Sequence, residues 1–128
     1  MVTSEDAGKM LEELASKLNE KKVAKKKILK WIGYNYYGKI IGWNFGDKSF
    51  HLVFMKDGSV KFKAGEYPAS ETIFLTDPET WIGICTLKVN PRDAFTDNKL
   101  WLRGNFHELM KFQDIAGKYM LSIGQKYA

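Results

Sequence analysis

The chain has one cysteine, Cys85, so no disulfide can close within it and no cysteine cluster can hold zinc. Arg92 and Arg103 are its only arginines, and His51 and His107 its only histidines. No apolar run approaches the roughly 18 residues that a membrane-spanning helix needs. The sequence contains no phosphate-cradling glycine loop, no dinucleotide fingerprint and no Gly-x-Ser-x-Gly elbow. The opening MVTSEDAGKM carries acids and no apolar core, which argues against a signal peptide, and the closing GQKYA is not a targeting tail. These absences predict a cytoplasmic protein of the reducing compartment, without metal or cofactor.

What is present is apolar bulk and lysine. Of 128 residues, 45% are hydrophobic and 14% aromatic, enough for a substantial core or an apolar cavity in one domain over residues 1–128. The net charge of +5 concentrates in KKVAKKKILK, where Lys21, Lys22, Lys25, Lys26, Lys27 and Lys30 stand without an acid. Such a run reads as a solvated helix face or as a dock for an anionic membrane. Trp31, Tyr34, Tyr36 and Tyr37 follow it, a combination that can make a stacking groove for nucleic acid. With arginine so scarce and no recognition module legible, no nucleic-acid partner is expected.

The pattern along the chain predicts two helices first, over residues 1–33. Leu11, Leu14, Ala15 and Leu18 recur at helical spacing behind Ser4 as cap. Lys22 and Lys25 would fall on the same stripe, so the first helix should break near Asn19. The second should bury Ile28, Leu29 and Ile32. GKIIGWNF, SFHLVFMK, SVKFKA and ETIFLT then read as four strands of an antiparallel meander, with turns at 46–48 and 56–59. Both faces of the second strand are apolar, which predicts a central strand covered on more than one side. Thr76 to Glu79 has capping-box spacing, with Pro78 suited to a first turn, and Asn90 caps a further short helix that ends at Asn98. A fifth strand over residues 99–103 leads to a closing helix capped around Asn105, with a stripe of Leu109, Phe112, Ala116, Met120 and Ile123. The fold class is α+β: a five-stranded, antiparallel-dominated sheet covered by helices.

Chemistry is sparse. His51 sits among large apolar residues, His107 in the first turn of a helix, and Cys85 on an amphipathic helix where a small buried side chain fits. A catalytic set assembled from distant residues stays open on this ground alone.

The stretch NPRDAFTDNKLWLRGN, followed by a helix containing LMKFQD, resembles the sterol carrier protein-2 (SCP-2) domain. Asn90, Pro91, Ala94, Phe95, Lys99, Leu100, Leu102, Gly104, Asn105, Met110, Lys111, Phe112 and Gln113 carry the likeness. MKDGSVKFKAGEYPASETIFLTDPETW looks like the same family's hairpin, fourth strand and Asp-initiated helix. The chain departs from the pattern at Asn98, which replaces a turn glycine, at Phe112, which replaces a leucine, and in lacking the peroxisomal tripeptide of some members. The resemblance implies an apolar tunnel between sheet and helices that binds fatty acids, acyl-CoA thioesters, sterols or phospholipids, without covalent chemistry. Lining residues expected from pattern are Trp81, Ile84, Cys85, Phe95, Leu100, Leu102, Phe106, Leu109, Met110, Phe112, Gln113 and Met120, with Gln113 as polar handle. The same residues could instead be packed core. The alternatives are a protein-interaction module using the lysine-rich segment, and an enzyme with a dispersed acyl-CoA site around Cys85 or His51. The oligomeric state is not legible.

Overall fold

The computed structural model describes residues 1–33 and 38–128. Tyr34, Tyr36 and Tyr37 therefore lie outside the described residues. The chain opens with α1 (Ser4–Glu20) and α2 (Lys22–Ile32). The cap of α1 is Thr3 rather than Ser4. Thr3 and Asp6 form a reciprocal capping box, each accepting the other's backbone N–H at 3.1 Å. Ser4 is free of that duty because its hydroxyl donates to the Asp47 carboxylate, which pins the helix start to the first hairpin turn. The break near Asn19 is as expected, but Leu29 is not buried. Ala24, Ile28 and Ile32 make the inner stripe of α2, and the one-residue offset leaves Leu29 at its rim, 41% exposed.

Five strands follow the helices: β1 (Lys39–Asn44), β2 (Ser49–Phe54), β3 (Val60–Ala64), β4 (Thr72–Thr76) and, later in the chain, β5 (Leu100–Gly104). Their order in the sheet is β3-β2-β1-β4-β5. The predicted meander is therefore corrected. β4 does not pair with β3 but crosses over to lie parallel to β1, which makes the sheet mixed. The burial of the two strands explains the choice. β3 carries Lys61 and Lys63 on alternate positions and suits a free edge. β4 has Ile73 and Phe74 on opposite faces, both buried, and needs a neighbour on each side.

Residues 65–71 make the crossover, along the sheet face that the helices leave open. Gly65 N–H donates to the Ser49 carbonyl at 2.8 Å and Glu71 N–H to the Ile40 carbonyl at 2.8 Å. Beneath it His51 is buried, with Nδ1 2.9 Å from the Gly65 carbonyl and Tyr67 against its ring. Gly42, opposite His51, leaves room for Ser70, whose Oγ would lie 3.3 Å from any Cβ placed there. This is the second covering predicted for β2.

The other face bears Ile41, Trp43, Leu52, Phe54, Phe74, Leu100 and Leu102, as the register of paired strands dictates. Over it pack α1, α3 (Pro78–Cys85) and α5 (Phe106–Gly124), while the short α4 (Pro91–Thr96) lies against β5. α3 is capped by Asp77, not Thr76: the Asp77 carboxylate accepts the Thr80 N–H at 2.7 Å, while the Thr76 hydroxyl donates to the Lys99 carbonyl. Asn90 and Asn105 cap α4 and α5 as expected. Asn98 takes φ 59°, the left-handed conformation that a glycine would otherwise supply. Leu109, Phe112, Ala116, Met120 and Ile123 are the buried stripe of α5. Among the described residues no helix is long and apolar enough to cross a membrane.

Candidate functional site

Trp43, Phe74, Trp81 and Phe112 form an aromatic cluster at the centre of the helix-covered face. Trp43 stacks on Phe74 at 5.4 Å and meets Trp81 and Phe112 edge-on at 5.4 and 5.6 Å. The indole N–H groups of Trp43 and Trp81 are buried with no partner among the described residues. Each such orphan costs about 1–3 kcal/mol, which the ring contacts must offset.

On one side of this cluster the packing stops. A cavity of about 370 Å³ lies between the β4–β5 half of the sheet, α3 and α5. The sheet supplies Phe74, Leu100 and Leu102; α3 supplies Trp81, Ile84 and Cys85. From α5 come Phe106, Leu109, Met110, Phe112, Gln113 and Met120. Eleven of the twelve residues expected to line one space are thus brought together. Phe95 is the exception. It lines a neighbouring groove of about 560 Å³ between α4 and β5, and its ring leans on Trp101 at 5.4 Å. Pro91, Leu100, Leu102, Phe106 and Leu109 are walls of both spaces.

Sequence reasoning missed Phe74, Leu87, Pro91, Gly117, Lys118 and Leu121. Gly117 and Leu121 were recoverable, since they follow Gln113 at steps of four along α5. A Cβ built on Gly117 would have no neighbour within 4 Å, so this glycine faces open space. Phe74 pairs across the sheet with Leu102, which only the strand register reveals. Leu87 carries no such signal. It lies between α3 and α4 with φ 64°, a conformation rare for a branched residue, and 78% of its surface is exposed.

Lys118 is the charged residue in the cavity wall and Arg92 the charged residue in the groove wall; neither wall contains a carboxylate. Burial pushes the Cys85 thiol well up, so it stays protonated and unreactive at neutral pH. His51 lies on the opposite sheet face, beneath the crossover. Cys85 and His51 therefore do not share a site.

A third space of about 510 Å³ opens on the other flank of α5, against α2. Lys27, Lys30 and Lys111 line it. Lys27 pairs with Asp114 at 3.8 Å and Lys39 with Glu108 at 2.7 Å. Glu108 also accepts the Trp31 indole N–H. Burial acts to raise the Glu108 carboxyl, but hydrogen bonds from Lys39 and Trp31 outweigh it and hold the group below the usual range. Trp31 is edge-on to Phe54 at 5.0 Å and so is packed rather than presented for base stacking. The remaining lysines of the run, Lys21, Lys22, Lys25 and Lys26, are all exposed, and Lys25 lies beside Gly58 in the β2–β3 turn. The six lysines wrap α2 rather than forming one patch.

The structure has several solved counterparts. The conserved hypothetical protein TT1886 of Thermus thermophilus aligns over 100% of this chain and 90% of its own, at 18% identity and a TM-score of 0.60. A crystal structure of sterol carrier protein 2 aligns over 95% of both chains, at 17% identity and a TM-score of 0.57. The inverting sec-alkylsulfatase Pisa1 from Pseudomonas sp. contains a similar unit, with 72% of this chain matched at 17% identity and a TM-score of 0.58. This chain spans only 14% of that enzyme's length, so the likeness is one of fold. A comparison with curated protein sequences finds no match. At sequence level, the model of the SCP-2 sterol transfer family matches residues 10–117. The mixed sheet, the helices over one face and that match agree: the chain belongs to the SCP-2 sterol transfer family.

Proposed function

We propose that this protein is a cytoplasmic lipid carrier that takes an aliphatic or sterol-like ligand into the cavity between β4, β5, α3 and α5. The observation that carries the reading is the wall itself. Trp81, Ile84, Cys85, Leu100, Leu102, Phe106, Leu109, Met110, Phe112 and Met120 grip by contact, and no carboxylate interrupts them. A space of this size is within the range of ligand pockets. The adjoining groove past Phe95 would extend the cavity into a tunnel. Gln113 and Lys118 sit at the wall where a fatty-acid carboxylate, a thioester or a phosphate head would emerge. This favours neutral or anionic heads over cationic ones.

The energetics favour carriage over storage. Each buried methylene contributes about 0.8 kcal/mol, so a sixteen-carbon chain gains on the order of 10 kcal/mol gross in either the cavity or a bilayer. The lipid is nearly indifferent between those two and strongly averse to the water between them. Docking on the bilayer removes that barrier. Of Lys21, Lys22, Lys25, Lys26, Lys27 and Lys30, those turned to the bilayer would attract an anionic surface at roughly 1 kcal/mol each. Transfer should then slow as salt rises.

Native mass spectrometry of the purified protein tests the reading, together with titration by a fluorescent fatty acid. Expected are a co-purified lipid mass, saturable probe binding, and displacement of the probe by unlabelled fatty acid. Delipidated protein that takes up no fatty acid, acyl-CoA, sterol or phospholipid would overturn it.

A further inference from the structure

Of the nine large apolar residues exposed among the described residues, five gather at one place, while Met1, Val23, Leu29 and Tyr67 lie elsewhere. Leu87, Phe106 and Met110 edge the cavity, and Phe95 edges the groove beside it together with Phe106. Trp101, the exposed tryptophan, packs on Phe95. Phe106 and Met110 lie four apart on the flank of α5 that borders the cavity, and both are exposed where a surface helix ordinarily presents polar side chains. Leu87 holds its exposed position at the cost of a positive φ. Backbone strain of this kind persists when the surrounding structure enforces it.

We propose that this rim is the membrane-entering surface of the protein: Leu87, Phe106 and Met110, flanked by Phe95 and Trp101, seat the cavity mouth directly in an anionic bilayer. Charge complementarity selects the occupant. Arg92 and Lys118 line the two spaces with no carboxylate among their walls, and the exposed Lys88 directly follows Leu87, while Lys111 follows Met110 but turns toward the α2 flank of α5. Of the nearby acids, Glu108 and Asp114 are engaged by Lys39 and Lys27. Asp93 and Asp97, although exposed, line neither space. Tryptophan beside cations suits the lipid–water interface. Lys27 and Lys30 border the same stretch of α5 from its other flank and add positive charge near the rim, while the rim supplies insertion. The inference rests on the carrier reading for its purpose, and it replaces a lysine-only docking face by one that opens onto the ligand's path.

Single cysteines at positions 106, 110, 26 and 12 would each carry an environment-sensitive dye; Cys85, only 5% exposed, stays in place. The probe is a vesicle of phosphatidylcholine and phosphatidylserine, with protein free of added ligand. Dyes at 106 and 110 should shift to the blue and brighten with vesicles, and keep doing so at high salt once bound, while position 12 on α1 stays silent. Leu87→Gly removes the side chain and relieves the positive φ, so it should raise the melting temperature while weakening vesicle binding on the order of threefold. A dye response at 26 alone, or a Leu87→Gly variant that binds vesicles as wild type, overturns the proposal. So does brightening at 106 and 110 that follows protein concentration without vesicles, which marks a second copy as the occupant. Because no ligand is used, vesicle insertion with no uptake of a fatty-acid probe refutes the carrier reading and leaves this surface standing; the reverse result does the opposite.

Discussion

The side-chain amide of Asn19 brackets the backbone of Val60. Its Nδ2 donates to the Val60 carbonyl at 2.9 Å and its Oδ1 accepts the Val60 N–H at 2.7 Å. At the last turn of α1 a single residue thus acts as the missing neighbour strand for β3, the edge of the sheet. Asn19→Leu should cost about 2 kcal/mol, read as a lowered urea midpoint with unchanged slope. Asn19→Asp should recover little of this, since its second oxygen would face the Val60 carbonyl. An Asn19→Leu midpoint equal to wild type would mean that water serves Val60 as well as the amide does.

Glu108 ties α5 to β1 through Lys39 and to α2 through Trp31. Its folded carboxyl lies below the ordinary value of 4.5, so its contribution is complete above that value and is lost as pH falls through the folded one. Glu108→Gln should cost about 1.5–3 kcal/mol at neutral pH. The gap between the two proteins should close as pH falls from above 4.5 through the lowered folded value, read in a series of thermal melts. A gap that stays constant with pH would assign the cost to packing.

Two glycines should respond in opposite directions. A Cβ on Gly8 would lie 2.6 Å from Cζ of Phe50, where α1 meets β2, and Gly8→Ala should destabilise by about 1–3 kcal/mol. Gly117→Ala meets nothing and should stabilise α5 by about 0.5–1 kcal/mol. Gly117→Phe directs a ring into the cavity. It should keep the fold, seen in an unchanged circular-dichroism spectrum, while reducing fatty-acid probe affinity on the order of tenfold. Unchanged affinity in Gly117→Phe would move the ligand elsewhere.

The Tyr127 hydroxyl donates to Glu13 at 2.7 Å, and Lys126 reaches the same carboxylate at 3.2 Å. Burial, then the Glu13 hydrogen bond, raises Tyr127 from 10.0 to about 12, and that bond is also what most lowers Glu13. A raised phenol stabilises fully below its unfolded value and stops doing so as pH climbs through about 12. An absorbance titration of wild type minus Tyr127→Phe should isolate a phenol near that upper value. A difference curve centred near 10 would release this end of the chain from α1.

The helices and most of their caps are legible because capping chemistry is local: Asn90 and Asn105 cap their helices in space as they do in sequence. Thr3 and Asp77 are harder to tell from Ser4 and Thr76, because a cap choice one residue apart depends on tertiary partners, here Asp47 and the Lys99 carbonyl. The meander fails for a related reason. Hairpin signals describe adjacent strands, whereas the parallel β1–β4 pair depends on which strand can be covered on both sides. The stripe of α5 discloses most of the cavity wall, yet that it encloses space rather than a tight core is a matter of packing. Phe95 shows the limit, since its place in the motif says nothing of which side of α4 the hollow lies on.

The pairing of the first helix with the last has a consequence for biosynthesis. α1 buries Ala7, Met10, Leu11 and Leu14, and α5 is among the elements that cover it. Ribosomes add about 5–20 residues per second, so α1 emerges several seconds before α5 exists. During that interval its greasy side has no final resting place. The nascent chain should therefore be a client for hydrophobic-binding chaperones until α5 has been made, and arrest before α5 should leave a polypeptide prone to degradation.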